Sequence, residues 1–358
     1  MKRTTKAFAR PNLALAAVVV VAGLLLGAPT ASAQYIYNPF FDYTVAVGHA
    51  HAAEIIGIRL AALAAYDGDD LDDLLEQTEK VLTREFPRLA GSLRLVAPGL
   101  AADLYEALEE VLELAEEEEY DELPAAITRA RQLARAAYAA LVPVEVAERP
   151  EFVAAVAALL MLADDGVAEG FEDAVEAEDE DDIYEYSNGW AAFQRVKQLW
   201  ANLRPLASEA QAAEIELALA RIEELYPSVT PPDLQGADPE AVEDPGRQFV
   251  STLEGVVQAY LYPERELGRV AATVADLVAD GRAAYEAGLT ELALERVLLA
   301  QFFYRENLRR LFDLIVPEAH AQITEAFEAL AEDVEAAGVA TFDRLLQALD
   351  EGRLLLGL

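Results

Sequence analysis

Helical periodicity constrains this chain more than any other feature of its sequence. Apolar residues recur every three or four positions almost throughout, and the apolar–polar alternation of a β-strand is nearly absent. In residues 101–115 the apolar positions share one side of a helix, and the other side carries glutamates: Glu106, Glu109, Glu110 and Glu113. Such spacing is typical of an amphipathic α-helix that packs on one face. The sequence therefore predicts an all-α protein.

Proline and glycine divide these stripes into about a dozen helices. The predicted breaks are Asp67-Gly68, Pro87, Pro98, Pro124, Pro143, Pro150, Pro205, Pro263, Gly288, Pro317 and Gly338. Residues 227–246 contain five prolines among Ser, Thr, Asp and Gly, which predicts an extended connector. We therefore expect two helical blocks, residues 34–226 and residues 247–358, joined by a Pro-rich linker at 227–246.

An internal repeat relates the two blocks at an offset of 219 residues. Ala64-Ala65-Tyr66 aligns with Ala283-Ala284-Tyr285, and Pro98 aligns with Pro317. Repeated helical hairpins bury their apolar stripes against their neighbours, so we expect a bundle or a short solenoid of such hairpins. The alternative is chance similarity between helices of like composition. Fainter copies are suggested at Leu141-Val142-Pro143 and at residues 200–205.

The first 33 residues have the three parts of a Sec-type signal peptide. A basic stretch ends at Arg10, an apolar run covers Leu13–Leu26, and the small residues Ala31-Ser32-Ala33 follow. The alternative is an uncleaved membrane anchor, but the run is shorter than the roughly 20 residues that a spanning helix needs. We therefore expect cleavage near Ala33 and an extracytoplasmic protein, periplasmic or secreted, with no transmembrane segment in the mature chain.

The chain is strongly acidic, with 65 Asp plus Glu against 27 Lys plus Arg and a formal net charge of −38. A polyanion repels phosphate backbones, so we expect no nucleic-acid partner, and cations or a protein as the charged partners. The absence of cysteine excludes a disulfide scaffold, a thiolate metal site and a cysteine nucleophile. The acidity also fits adaptation to high salt, with a GC-rich coding sequence as the alternative.

Candidate metal ligands cluster near the start of the first mature helix. His49 and His51, two of only three histidines, lie there close to Glu54. His51 and Glu54 share a helical face and can offer a nitrogen and an oxygen to a metal. His49 joins them only if the helix starts near Gly48, since a helix from Thr44 would turn it away. We predict a site for a divalent or ferric ion at His49, His51 and Glu54, with unliganded histidines as the alternative.

Other clusters favour structural interpretations. Asp67–Asp73 lacks the spacing of an EF-hand loop and predicts a helix start, and Glu176–Asp182 predicts a solvated loop. Five aromatic residues form a cluster: Tyr184, Tyr186, Trp190, Phe193 and Trp200. Trp190, Phe193 and Trp200 share one helical stripe, which is typical of core packing, with a ligand-stacking platform as the alternative. No nucleophile with its base, phosphate loop or inward carboxylate pair is recognisable, so we expect no enzyme.

One motif of the second block begins at Tyr285-x-x-Gly288. It continues with Ala300, Phe303, Glu306, Leu308-Arg309, Pro317, Ile323 and Phe327. This pattern resembles the extracytoplasmic helical region of high-affinity iron permeases over residues 280–330, and more weakly over residues 64–114. The sequence contains no counterpart of the permease's membrane helices, so the resemblance implies a role accessory to iron uptake. We expect a non-catalytic binding or scaffold protein, with a dedicated metal-binding protein as the alternative.

Overall fold

A computed structural model of the chain describes residues 37–65, 79–117, 121–177 and 183–358. Within these ranges the chain is helical almost throughout and has no β-strand, which confirms the all-α prediction. None of the described helices is both long and apolar enough to cross a membrane. The predicted signal peptide, the Asp67–Asp73 cluster and most of the Glu176–Asp182 run lie outside the described residues.

Sixteen α-helices form the described part of the chain, and we number them in order. They are α1 Pro39–Asp42, α2 Thr44–Ala65, α3 Pro87–Val96, α4 Pro98–Glu116, α5 Leu123–Leu141, α6 Val144–Ala147, α7 Pro150–Leu162, α8 Val167–Glu176, α9 Ile183–Leu203, α10 Glu209–Leu225, α11 Glu243–Val257, α12 Leu267–Glu286, α13 Thr290–Asn307, α14 Arg309–Ile315, α15 Pro317–Glu332 and α16 Val334–Leu356. A π-helix, Val81–Glu85, precedes α3, and 3₁₀ turns occupy Arg204–Leu206, Pro239–Val242 and Pro263–Glu266.

Local signals set the ends of these helices. Proline lies in the first turn of α3, α4, α5, α7 and α15, where its missing N–H has no intrahelical partner to lose. Ser208 and Gln211 form a capping box at the start of α10. Gly288, with φ of 76°, follows α12, and Gly338, with φ of 64°, kinks α16. Each predicted break within the described residues therefore coincides with a helix boundary or a kink.

Two helices occupy the centre of the fold. Fourteen of the 22 residues of α2 are buried, and nine of the 13 residues of α7 are buried. A helix that is apolar on nearly every side has to be covered by other helices over most of its surface. Accordingly α2 contacts α3, α5, α7 and α9. It joins a smaller apolar cluster, shared with α3, α4 and α5, to a larger one that extends to α16.

The tandem repeat is visible in how the helices pair. In the first unit, which is α2 to α5, both α2 and α4 pack on α5; in the second unit, which is α12 to α16, both α12 and α15 pack on α16. The breaks before Pro98 and Pro317 also match: Ala97 has φ −149° and ψ 67°, and Val316 has φ −133° and ψ 56°. Each proline is the first residue of its helix. The break at Pro143 differs, because Val142 and Pro143 are both extended.

The predicted linker is helical at its end. Residues 227–238 contain no helix, but a 3₁₀ turn follows and α11 begins at Glu243. Pro245 and Gly246 are buried in the first turn of α11, and Gly246 lies against Leu162 and Met161 of α7. Proline is tolerated there because the first-turn N–H groups make no intrahelical bond. The larger apolar core therefore contains residues from both predicted blocks.

Candidate functional site

The predicted metal ligands all lie on α2, which begins at Thr44 and so includes His49. His49 is 3% exposed, and its Nε2 donates to Oε1 of Glu295 at 2.8 Å. Glu295 also accepts from the backbone N–H and the hydroxyl of Ser92, at 2.6 and 2.7 Å, and pairs with Arg296. Burial alone would raise the pKa of Glu295, but the hydrogen bond from His49 and the charges of His49 and Arg296 hold it below its usual value.

His51 faces a different group of side chains. Its ring is fully buried and stacks on Phe302, with 4.9 Å between ring centroids. Arg88 donates from Nη2 to Nδ1 of His51 at 3.2 Å and from Nη1 to Glu85 at 2.7 Å. Burial, followed by the charge of Arg88, lowers the pKa of His51 to about 3, so its imidazole is neutral at pH 7. Because Arg88 donates to Nδ1, the ring proton lies on Nε2, which is buried without a hydrogen-bond partner.

Glu54 has a third set of neighbours. Its two carboxylate oxygens accept from Nε and Nη2 of Arg195 on α9, at 2.7 and 2.6 Å, in a bidentate pair. The structure thus gives His49, His51 and Glu54 separate partners and does not bring them together. Among the residues that the structure describes, no group of three or more His, Asp or Glu side chains could hold a metal ion.

Glu54 lines an open groove between α2, α5 and α9, with a volume of about 590 Å³. We call this feature the groove. Its floor is the outer strip of α2, which carries one small residue per turn: Ala53, Gly57, Ala61 and Ala65. A Cβ atom placed on Gly57 would meet no atom within 4 Å, so this position faces open space. Small-molecule pockets typically measure about 300 to 1,000 Å³, and the groove falls within that range.

The walls of the groove combine an aromatic ring, carboxamides and cations. Helix α9 contributes one polar or aromatic side chain per turn, and α5 contributes Arg131, Arg135 and Tyr138. The series on α9 is Trp190, Gln194, Gln198 and Asn202. Burial, then the charge of Glu54, raises the pKa of Tyr138 to about 12, so its hydroxyl stays protonated. The groove therefore offers hydrogen bonds above an apolar floor.

The aromatic cluster predicted on α9 contributes rings to both the core and the groove. Tyr186, Phe193 and Trp200 are at most 5% exposed and belong to the larger core. Tyr186 and Phe193 also contact the ring of Tyr226. The core interpretation is therefore confirmed for these three rings. Trp190 is only half-buried and lines the groove.

A smaller cleft of about 200 Å³ lies beside the π-helix. Most of its charged groups have partners within the protein: Arg305 pairs with Asp164, and Arg88 pairs with Glu85. Oε1 of Glu306 is buried there without a hydrogen-bond partner, and burial raises the pKa of this carboxyl well above its usual value. Because charges of both signs neutralise one another in this cleft, the larger groove is the stronger candidate for a ligand site.

Comparisons of the chain with models of known protein families, with curated proteins and with solved structures found no match. Function is therefore inferred from the residues of this chain alone. The sequence pointed to Glu54 and Trp190 but not to Gly57, Arg131 or Arg135. The available signal was the four-residue spacing of small residues on α2 and of the two arginines on α5.

Proposed function

We propose that this protein is a non-catalytic binding protein whose ligand occupies the groove. The observation that carries the proposal is the combination of the groove's volume with the open position at Gly57. The groove is open to solvent along the outer strip of α2, and its volume is that of a small-molecule pocket. Its mixture of an apolar floor and a few convergent polar groups is that of a ligand pocket.

The groups in the groove suit recognition more than bond making. Both oxygens of Glu54 are engaged by Arg195, which also donates to Gln198 at 3.2 Å. The other polar side chains with which α9 lines the groove are the indole of Trp190 and three carboxamides, and the carboxamides donate and accept hydrogen bonds without changing protonation state. These features support a binding role rather than acid–base chemistry.

We place this binding protein outside the cytoplasm, in the periplasm or secreted. The signal-peptide pattern of residues 1–33 supports that location. The resemblance of residues 280–330 to the external region of iron permeases supports a role accessory to iron uptake. N-terminal sequencing of the exported protein should begin at or near Gln34, and a product that retains Leu13–Leu26 in a membrane fraction would contradict the location.

Occupancy of the groove can be tested by filling it. Gly57→Leu places a side chain into open space, and it also removes a glycine from a helix interior, which favours folding by about 0.5 to 1 kcal/mol. Two fluorescent probes of similar shape report binding: anilinonaphthalene sulfonate, an anion, and phenylnaphthylamine, which is neutral. We expect the wild type to bind at least one probe at one site, and Gly57→Leu to bind neither.

The matched control is Gly99→Leu, because a Cβ atom on Gly99 also meets nothing within 4 Å but lies on α4, away from the groove. This variant should bind like the wild type. Equal binding by Gly57→Leu and the wild type, or no binding by the wild type, would reject the groove as the ligand site.

The alternative proposal is a dedicated metal-binding protein that uses His49, His51 and Glu54. It is favoured by the buried, unpartnered Nε2 of His51. Metal binding there would require the ring proton to leave Nε2 and Glu54 to release Arg195. Calorimetry with Fe²⁺, Zn²⁺ and Mn²⁺ tests it: stoichiometric binding that is lost in His51→Ala, with unchanged helical circular dichroism, supports the site. Equal affinities would mean diffuse attraction of cations to an acidic surface.

A further inference from the structure

Two arginines of the groove lie one turn apart on the same face of α5. Arg131 is half-buried, Arg135 is exposed, and both line the groove together with Tyr138. Like charges four residues apart on a helix disfavour it by roughly 0.2 to 0.5 kcal/mol. Burial, then the charge of Arg135, also lowers the pKa of the Arg131 guanidinium. The pair is therefore an unfavourable arrangement for the protein alone.

Neither arginine forms an ion pair or a hydrogen bond with a described side chain, although the chain holds 65 carboxylates. Other arginines nearby are neutralised. Arg129, on the same helix, pairs with Glu110 at 2.6 Å, and Arg195 forms its bidentate pair with Glu54. Arg131 and Arg135 therefore lack carboxylate partners because of their position in the groove, since Arg129 on the same helix has one.

The lining of the groove carries one more positive than negative charge, although the protein as a whole is strongly acidic. The charged lining consists of Arg131, Arg135 and Arg195 against Glu54 and Glu148, and Glu148 is exposed. Because Arg195 and Glu54 satisfy one another, the two arginines of α5 remain as donors for an incoming group. A guanidinium binds planar oxyanions such as carboxylates in a bidentate manner.

We propose that the groove selects a small organic anion, in which a carboxylate or sulfonate group binds Arg131 and Arg135. An apolar or aromatic body would lie on the floor formed by Gly57 and its neighbours, beside the ring of Trp190. This proposal rests on the proposed function, since it names the ligand class of the same groove. The proposed ligand is an anion, whereas the net charge of −38 would attract cations at long range.

The experiment compares the same two probes, which differ in the sulfonate group. In wild-type protein, anilinonaphthalene sulfonate should bind about tenfold or more tightly than neutral phenylnaphthylamine, and its affinity should fall as salt is added. In the double variant Arg131→Gln/Arg135→Gln the sulfonate should lose that advantage, while the affinity of the neutral probe should change less than about twofold. Glutamine keeps the helix propensity and most of the side-chain length.

Arg129→Gln is the matched control, because it removes one arginine from the same helix outside the groove. It should bind both probes like the wild type. If wild-type protein binds the two probes equally, or if the double variant keeps full affinity for the sulfonate, the anion proposal is wrong while the groove remains a binding site.

Two further outcomes would overturn the anion proposal in other ways. If the wild type binds neither probe, or if Gly57→Leu binds both normally, the proposed function fails and the ligand class fails with it. If a Glu-rich peptide binds in an Arg131-dependent manner while the sulfonate does not bind, the groove recognises an acidic protein segment instead of a small anion.

Discussion

The same substitution, glycine to alanine, should have opposite effects at two interior helix positions. Gly57 lies on α2 and faces the groove, and Gly91 lies on α3 at its contact with α13. A Cβ atom on Gly57 meets nothing within 4 Å, whereas a Cβ atom on Gly91 would lie 2.6 Å from backbone atoms of Glu291 and Leu292. The comparison therefore isolates the close approach of α3 and α13 from the general effect of glycine in helices.

At Gly57 only the backbone contribution remains. Alanine restricts the unfolded chain and favours the helix, which stabilises by about 1 kcal/mol. We expect Gly57→Ala to raise the free energy of unfolding by that amount.

At Gly91 the same gain is opposed by two losses. Carbon atoms in contact prefer about 3.5 to 4.0 Å, so α3 and α13 would have to separate by about 1 Å. Overpacking of this kind costs about 1 to 3 kcal/mol. Separation would also lengthen the bonds from Ser92 to the buried Glu295, and hydrogen bonds to charged groups contribute about 1.5 to 3 kcal/mol. We expect Gly91→Ala to lower the free energy of unfolding by about 2 to 4 kcal/mol.

Urea denaturation followed by circular dichroism measures both variants against the wild type, with the slope of the transition checked for constancy. A shift of both midpoints in the same direction would refute the close contact between α3 and α13. Far-UV spectra in the absence of urea show whether each variant is folded before the comparison is made.

Three further outcomes test the buried network, the acidic helix α8 and the net charge. Glu295→Ala leaves the buried donor of His49 and the half-buried donors of Ser92 without an acceptor. It should cost about 3 to 5 kcal/mol, more than Ser92→Ala at about 1 to 3 kcal/mol; equal small losses in urea denaturation would count against the network. Burial, followed by the charges of Asp164 and other carboxylates, raises the pKa of Glu169 to about 7. Glu169 therefore holds its proton more tightly in the folded protein than in the unfolded chain, and the free energy of unfolding falls as the pH rises from 4.5 through 7. Glu169→Gln should flatten the dependence of Tm on pH between about pH 5 and 8, and an unchanged slope would contradict this cause. Finally, Tm should rise with salt up to about 1 M as self-repulsion is screened, and a constant Tm would contradict the expected adaptation to high salt.

Helix boundaries were predictable because they depend on local chemistry. The prolines at 98 and 317 act through their own missing N–H groups and ring geometry, whatever packs around them. Their matching positions in two tandem units also followed from the sequence alone. The same reasoning applies to Gly338, whose left-handed backbone conformation glycine adopts at little cost.

The environment of the histidines could not be predicted in this way. Helix α2 is apolar on nearly every side, so its sequence does not indicate which face meets which neighbour. The partner of His49 is Glu295 on α13, 246 residues away in sequence, and only tertiary packing brings the two side chains together. The groove likewise requires three helices that are distant in sequence, and small residues on α2 look the same whether they pack against a helix or face a ligand.

The contacts between the two predicted blocks have a consequence for the integrity of the chain. Helix α13 of the second block packs on α3 of the first, and α11, which lies mostly in the second block, packs on both α7 and α10 of the first, so each block supplies surface that the other needs. The covalent connection between them runs through residues 227–238, which contain no helix. A protease that cuts this segment should leave both fragments bound as one particle. Either fragment expressed alone would expose an unpaired apolar face, and co-expression of the two would be needed to restore the fold.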